Sequence, residues 1–152
     1  MALTQVKLDA TEARLAAMTA PEKGAAWIAA ARDAGRARLR EMGLPERRDE
    51  YWKFTRPDSL TAPEVPDAAL FRRGERQVFD DVDRVRLVFV DGVFDPDSSD
   101  DPALAGVEIE RLASAAQTDI HWARDAYGVL EARGQTPVPR PLAALNTAYA
   151  DD

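Results

Sequence analysis

The stretch RVRLVFVDGVFD, Arg84 to Asp95, decides how the fold is read. Val85, Leu87 and Phe89 alternate with Arg84, Arg86 and Val88, the period-two pattern of a strand with one apolar face. Asp91 with Gly92 then makes a two-residue turn of the kind that closes a β-hairpin, and Pro96 ends the second strand. Downstream, GVEIERL (Gly106 to Leu112) sets Val107 and Ile109 against Glu108 and Glu110, so a third strand is expected to join the hairpin. Three strands are enough for a sheet that holds.

Outward from this centre the period changes to that of helices. TDIHWARDAYGVLEARG predicts a helix capped by Thr118 or Asp119, with Ile120, Ala123, Tyr127 and Leu130 at helical spacing and Gly134 as its stop. PLAALNTAYADD starts another helix at Pro141 and runs out on Asp151 and Asp152 with no stop signal, as expected of a longer polypeptide. Upstream, PDSLTAPEVP (Pro57 to Pro66) is too rich in proline and turn formers for regular structure and reads as a surface connection. DAALFRRG after it makes one or two helical turns before Gly74.

At the N-terminus, Leu8, Leu15 and Met18 recur at helical spacing, predicting a short amphipathic helix within the first twenty residues. Thr19 lies three residues before Glu22, the spacing of a capping box, with Pro21 tolerated in the first turn, so a second helix is expected to start there. Its stripe is Ile28, Ala31, Gly35, Leu39 and Met42, beside Trp27. Gly43 suits a left-handed helix stop, Leu44 falls where a contact back to Leu39 is expected, and Pro45 forbids continuation. The two helices should form an antiparallel hairpin. The expected fold is therefore α+β in a single domain: a helical hairpin over 1–44, a motif and connection over 45–76, and a small antiparallel sheet with helices over 77–152.

Composition narrows the chemistry. The chain has 152 residues, with 45% hydrophobic and 31% charged, which suits a globular protein with a real core. Twenty basic against 27 acidic residues leave a net charge of −7, and a surface of that sign repels phosphate backbones, so no nucleic acid partner is expected. No run approaches the roughly 20 apolar residues of a membrane span, and MALTQVKLDATEARL lacks the apolar core of a signal peptide, so a cytoplasmic protein with no membrane partner is expected. With no cysteine, the chain has no thiolate for a metal or an iron–sulfur cluster, and no thiol nucleophile.

Motifs that carry chemistry are few. DPDSSDDP, Asp95 to Pro102, fails as a calcium loop, because Asp100 stands where glycine is needed and Gly106 where a bidentate glutamate should be; a solvated acidic turn is expected. His121, the one histidine, precedes Asp125 by a helical turn, a pair that is structural unless a nucleophile or metal accompanies it. The eight glycines are scattered and form neither a P-loop nor a dinucleotide fingerprint. Catalytic, cofactor and metal residues are thus expected to be none. Arg47 with Arg48, and Arg72, Arg73 and Arg76, are basic clusters suited either to solvated faces or to an acidic partner.

GLPERRDEYWKFT, Gly43 to Thr55, gathers three rings in Tyr51, Trp52 and Phe54 behind mixed charge. One reading has the rings seal the end of the helical hairpin with Lys53 reaching to water. The other makes the stretch an exposed hot spot for a protein partner, with Arg47, Arg48, Tyr51, Trp52 and Lys53 as its contact residues.

This stretch also resembles a segment of SufD-type iron–sulfur cluster assembly proteins, in which Leu-Pro, a basic pair, an acidic residue, Trp-Lys, an aromatic residue and Thr follow in this order. RLVFVDGVFDP and PLAALNTAYADD resemble two further segments of the SufB/SufD family, in the family's order, so the likeness spans Gly43 to the last residue. The resemblance implies the N-terminal region of a scaffold component, with the family's β-helix body absent from this chain. It further implies SufB-like and SufC-like partner subunits, a non-catalytic role, and an iron–sulfur cluster handled by the full complex with no cofactor held here. The alternative is a free-standing adaptor that binds an unrelated protein through residues 47–56.

Overall fold

Residues 3–64, 79, 81–90, 93–135 and 138–150 are described by the computed structural model. The chain divides into two compact units, one made of Met1–Val65 with Leu112–Asp151, the other of Pro66–Arg111.

In the first unit, α1 (Gln5–Ala17) is capped by Thr4, whose hydroxyl accepts the Lys7 N–H at 3.3 Å. It runs antiparallel to α2 (Ala26–Met42): Leu15 shares a cluster with Leu39, Glu12 pairs with Arg40, and Lys7 lies against Gly43. α2 does not start at the expected Thr19–Glu22 box. A tertiary contact sets its beginning instead, because the Ala25 N–H donates to the Ala116 carbonyl at 2.6 Å, and a Cβ on Gly24 would stand 2.5 Å from that same oxygen. Its end falls where the sequence puts it. Gly43 takes φ +67°, a conformation that strains any residue with a side chain, and its N–H closes onto the Leu39 carbonyl at 2.7 Å.

The turn after α2 is fastened to α1 by one hydroxyl. Thr11, 1% exposed, accepts the Leu44 N–H at 2.9 Å and donates to the Lys7 carbonyl at 2.7 Å, so a buried polar group and a buried amide satisfy each other. Leu44 is thereby held against Leu15, Leu39, Ala144 and Leu145 in the core.

The last helix, α6 (Pro141–Tyr149), completes this core by packing on α2. Gly35 lets the two backbones approach: a Cβ there would lie 3.1 Å from the Ala144 carbonyl and 3.2 Å from the Ala148 nitrogen. Arg32, buried among these residues, donates to the Ala150 carbonyl at 2.8 Å and to the Glu22 carbonyl at 3.1 Å. Between these helices the chain makes α3 (Asp58–Thr61), α4 (Leu112–Ala115) and α5 (Val129–Gly134). The continuous helix expected over 118–134 is broken. A 3₁₀ turn over Trp122–Asp125 is followed by Gly128 at φ +73°, which ends one segment before α5 begins.

The second unit corrects the α+β reading. Its only regular β structure among the described residues is one antiparallel pair of two-residue strands, β1 (Phe89–Val90) and β2 (Val93–Phe94), with Phe89 opposite Phe94. The Asp91–Gly92 turn itself lies outside the described residues, as do Arg72, Arg73 and Arg76. Among the described residues no three-stranded sheet forms; the fold is rich in α-helix, and residues 107–110 are not a strand. Two causes are visible. Past Val88 the ladder positions are taken by a loop, with Ser99 Oγ accepting the Val88 N–H at 2.8 Å and Asp100 Oδ2 the Arg86 N–H at 2.6 Å. In addition, Val85, Leu87, Phe89 and Val107 stay exposed, so the alternating face has no core to bury itself in. Among the described residues, no helix is long and apolar enough to cross a membrane.

Replacing Thr11 with Val keeps the volume but leaves the Leu44 N–H without its acceptor, and should lower unfolding free energy by about 1–3 kcal/mol. Thr11→Ser, which keeps both hydrogen bonds, should lose less. Urea denaturation of both variants checks this, and equal stability of Thr11→Val and the parent chain would refute it.

Candidate protein-docking site

The aromatic stretch is built directly on the stop of α2. Pro45 is buried, and Asp49 then organises the turn: its Oδ2 accepts the Glu46 N–H at 3.0 Å and pairs with Lys7 Nζ at 2.8 Å. A 3₁₀ turn over Glu50–Trp52 follows, with the Trp52 N–H donating to the Asp49 carbonyl at 2.8 Å. This short turn sends adjacent side chains in different directions. Tyr51 is 62% exposed and Phe54 91%, whereas Trp52 is half-buried. The Tyr51 and Trp52 rings meet edge to face, 5.9 Å apart at 73°.

Sealing of the hairpin therefore does not account for Tyr51 or Phe54, and holds only in part for Trp52. Lys53 is exposed, paired with Glu50 at 2.5 Å and poised 5.1 Å above the Phe54 ring. Arg47 and Arg48 are exposed as well. Of the five residues proposed from sequence as contacts, the structure brings Tyr51 and Trp52 to a groove of about 740 Å³; Arg47, Arg48 and Lys53 do not line it.

Sequence reasoning missed the rest of that groove. Leu3, Met42, Val138 and Pro141 supply apolar wall, and Lys7, Glu41, Asp49 and Glu50 its charge. Tyr51 and Trp52 also line a second hollow of about 230 Å³, bounded by Arg140, Pro141 and Leu142. The signal that could have pointed here is VPRP, Val138 to Pro141, whose prolines give a rigid wall.

A polar network holds that wall. Glu131, with its side chain 8% exposed, accepts from both Arg38 Nε, at 3.1 Å, and Arg38 Nη2. Gln135 Nε2 donates to the same carboxylate at 2.5 Å, while Gln135 Oε1 accepts the Arg140 N–H at 2.6 Å. Burial pushes the Glu131 pKa up, but hydrogen bonds from Arg38 and Gln135, the Arg38 charge and a hydrogen bond with Thr147 together outweigh it and hold the pKa below the ordinary glutamate value.

The other candidates serve local structure. His121 Nδ1 accepts the Ala123 N–H at 3.1 Å and caps the 3₁₀ turn, and Asp125 lies 3.8 Å from Arg124 Nε. In the acidic loop, Asp95 Oδ1 accepts the Asp97 and Ser98 N–H groups, and Asp101 accepts that of Ala103. Among the described residues, no group of three or more His, Cys, Asp or Glu side chains could hold a metal ion. In comparison with known proteins, no family model, curated protein or solved structure matches the chain.

Because the folded-state pKa of Glu131 is depressed, its contribution to stability is complete above the unfolded glutamate value and disappears as pH falls through the folded value. Glu131→Gln should thus cost roughly 1–3 kcal/mol at neutral pH, with the difference from the parent chain shrinking in acid. Denaturation midpoints across a pH series read this directly; a gap that stays constant into acid would contradict it. Tyr51→Ser and Phe54→Ser, both at exposed positions, should each change stability by no more than about 0.5 kcal/mol in thermal unfolding.

Proposed function

We propose that the chain is a non-catalytic docking domain of a SufD-like component of an iron–sulfur cluster assembly scaffold. It works in the cytoplasm through contacts with SufB-like and SufC-like subunits. The cluster is cargo of the assembled complex, and no residue of this chain is assigned to it. The observation that carries the docking part is the solvent-facing Tyr51 beside half-buried Trp52 at the mouth of an apolar groove. Large exposed aromatics next to a concavity are the composition of interaction hot spots, and the folded unit does not need Tyr51 for its own core. The link to the scaffold rests on the three stretches that resemble the SufD type, the first of which contains these rings.

A second reading keeps the docking and drops the scaffold: a free-standing adaptor that engages an unrelated protein through residues 47–56. The joint exposure of Arg47, Arg48, Tyr51, Lys53 and Phe54 favours a contact through that segment itself.

Purified SufB-like and SufC-like subunits should co-elute with the full chain in size-exclusion chromatography, and Trp52→Ala should weaken that association by about tenfold or more. Absence of co-elution at concentrations well above those of a stable complex would overturn the scaffold reading. If co-elution persists with Trp52→Ala but is lost when Arg47 and Arg48 are both replaced by Glu, contact runs through the segment rather than the groove.

A further inference from the structure

The groove beside Trp52 is apolar in its walls and acidic at its edge. Its charged lining residues are three carboxylates, Glu41, Asp49 and Glu50, against a single ammonium, Lys7, which is engaged with Asp49 at 2.8 Å. Glu41 and Glu50 are exposed, and the Lys53 that pairs with Glu50 is itself half in water, so this pairing is readily exchanged for a stronger cation. Arg140 borders the smaller hollow, so the acidic edge is confined to Glu41 and Glu50, and a ligand that brings apolar surface with a cation at that edge fits both.

Shape narrows the ligand further. Two hollows lie side by side, and Tyr51, Trp52 and Pro141 border both. Flat aromatic and proline rings shared by two hollows suit a chain that presents bulky apolar groups at regular, well-spaced intervals without needing backbone partners from a sheet edge. A polyproline II segment does this, since it turns every three residues and carries no internal hydrogen bonds. Such segments dock in aromatic-lined grooves with little loss of entropy.

We propose that this groove takes an extended, proline-bearing segment of the partner protein, with its prolines in the two hollows and a neighbouring arginine or lysine at Glu41 and Glu50. The assignment rests on the docking reading above and specifies what is docked. The cation gains from both the acidic edge and the exposed ring of Tyr51. Since the charge pairing is solvent-exposed, added salt weakens it.

The test uses the full chain with three synthetic peptides: a Pro-x-x-Pro peptide flanked by arginines, the same peptide with arginine changed to glutamate, and the same with proline changed to alanine. Titration followed by amide chemical shifts should show saturable binding of the first alone, with the shifted amides around residues 41–52 and 138–142. Binding should weaken about tenfold or more in the double variant Glu41→Lys with Glu50→Lys, both on exposed positions that leave the fold intact. That variant should favour the glutamate peptide instead.

Equal binding of all three peptides, binding of none, or unchanged binding by the charge-reversed variant would each overturn the assignment. The two readings fail separately. Peptide selectivity without capture of SufB-like or SufC-like subunits removes the scaffold and keeps the groove; capture that is indifferent to Glu41→Lys with Glu50→Lys removes the groove and keeps the scaffold.

Discussion

The first unit depends on how closely α2 and α6 approach, and that distance is set by the absence of a side chain at Gly35. With the Ala144 carbonyl and Ala148 nitrogen near 3 Å from where a Cβ would sit, the seam is made of small residues: Gly35, Ala144 and Ala148. Close backbone approach lets Leu39 and Leu145 meet in one cluster and brings Arg32 and Arg36 over the carbonyl end of α6. It also fixes Pro141 at the opposite end of α6, and with it one wall of the groove. A larger residue at position 35 would push that wall as well as the core.

Arginine recurs in this acidic protein as a clasp on helix ends. Arg32 and Arg36 reach the Ala150 and Ala148 carbonyls, and Arg14, 8% exposed, reaches those of Ala62 and Pro63 just past α3. A helix C-terminus offers unsatisfied carbonyls and a partial negative charge, and the guanidinium supplies several donors on one rigid plane. The carbonyls help make burial of the charge tolerable, and Arg36 also pairs with the Asp33 carboxylate at 2.5 Å. In the Arg38–Glu131 pair the carboxylate is itself buried, and there the ion pair organises the segment leading to Arg140.

What the sequence made legible follows the range of the interactions involved. The end of α2 at Met42–Gly43 and the start of α6 at Pro141 are set by the residues themselves, through positive φ and a missing amide, and both were readable. The start of α2 was not, since the Ala116 carbonyl that decides it lies far along the chain. The alternation of Val107 and Ile109 looked like a strand, but period alone does not supply the ladder partner or covered face a strand requires. In 118–134 the helical spacing was real, yet Gly128 uses the left-handed region that only glycine enters cheaply. At the groove, the ring cluster was visible in the sequence, while its walls come from three separated segments that no local pattern links.

The first unit is assembled from two stretches of chain, Met1–Val65 and Leu112–Asp151, with residues 66–111 lying between them. On the ribosome α1 and α2 therefore emerge long before α6 exists to cover them, and the apolar stripe around Leu39 waits, partly clothed, for roughly a hundred more residues at a pace of about 5–20 per second. Closing so long a chain segment adds little to the free energy of the finished state, because that term grows only logarithmically with length. It does make synthesis the interval in which the apolar stripe of the hairpin is least covered, until α6 leaves the exit tunnel.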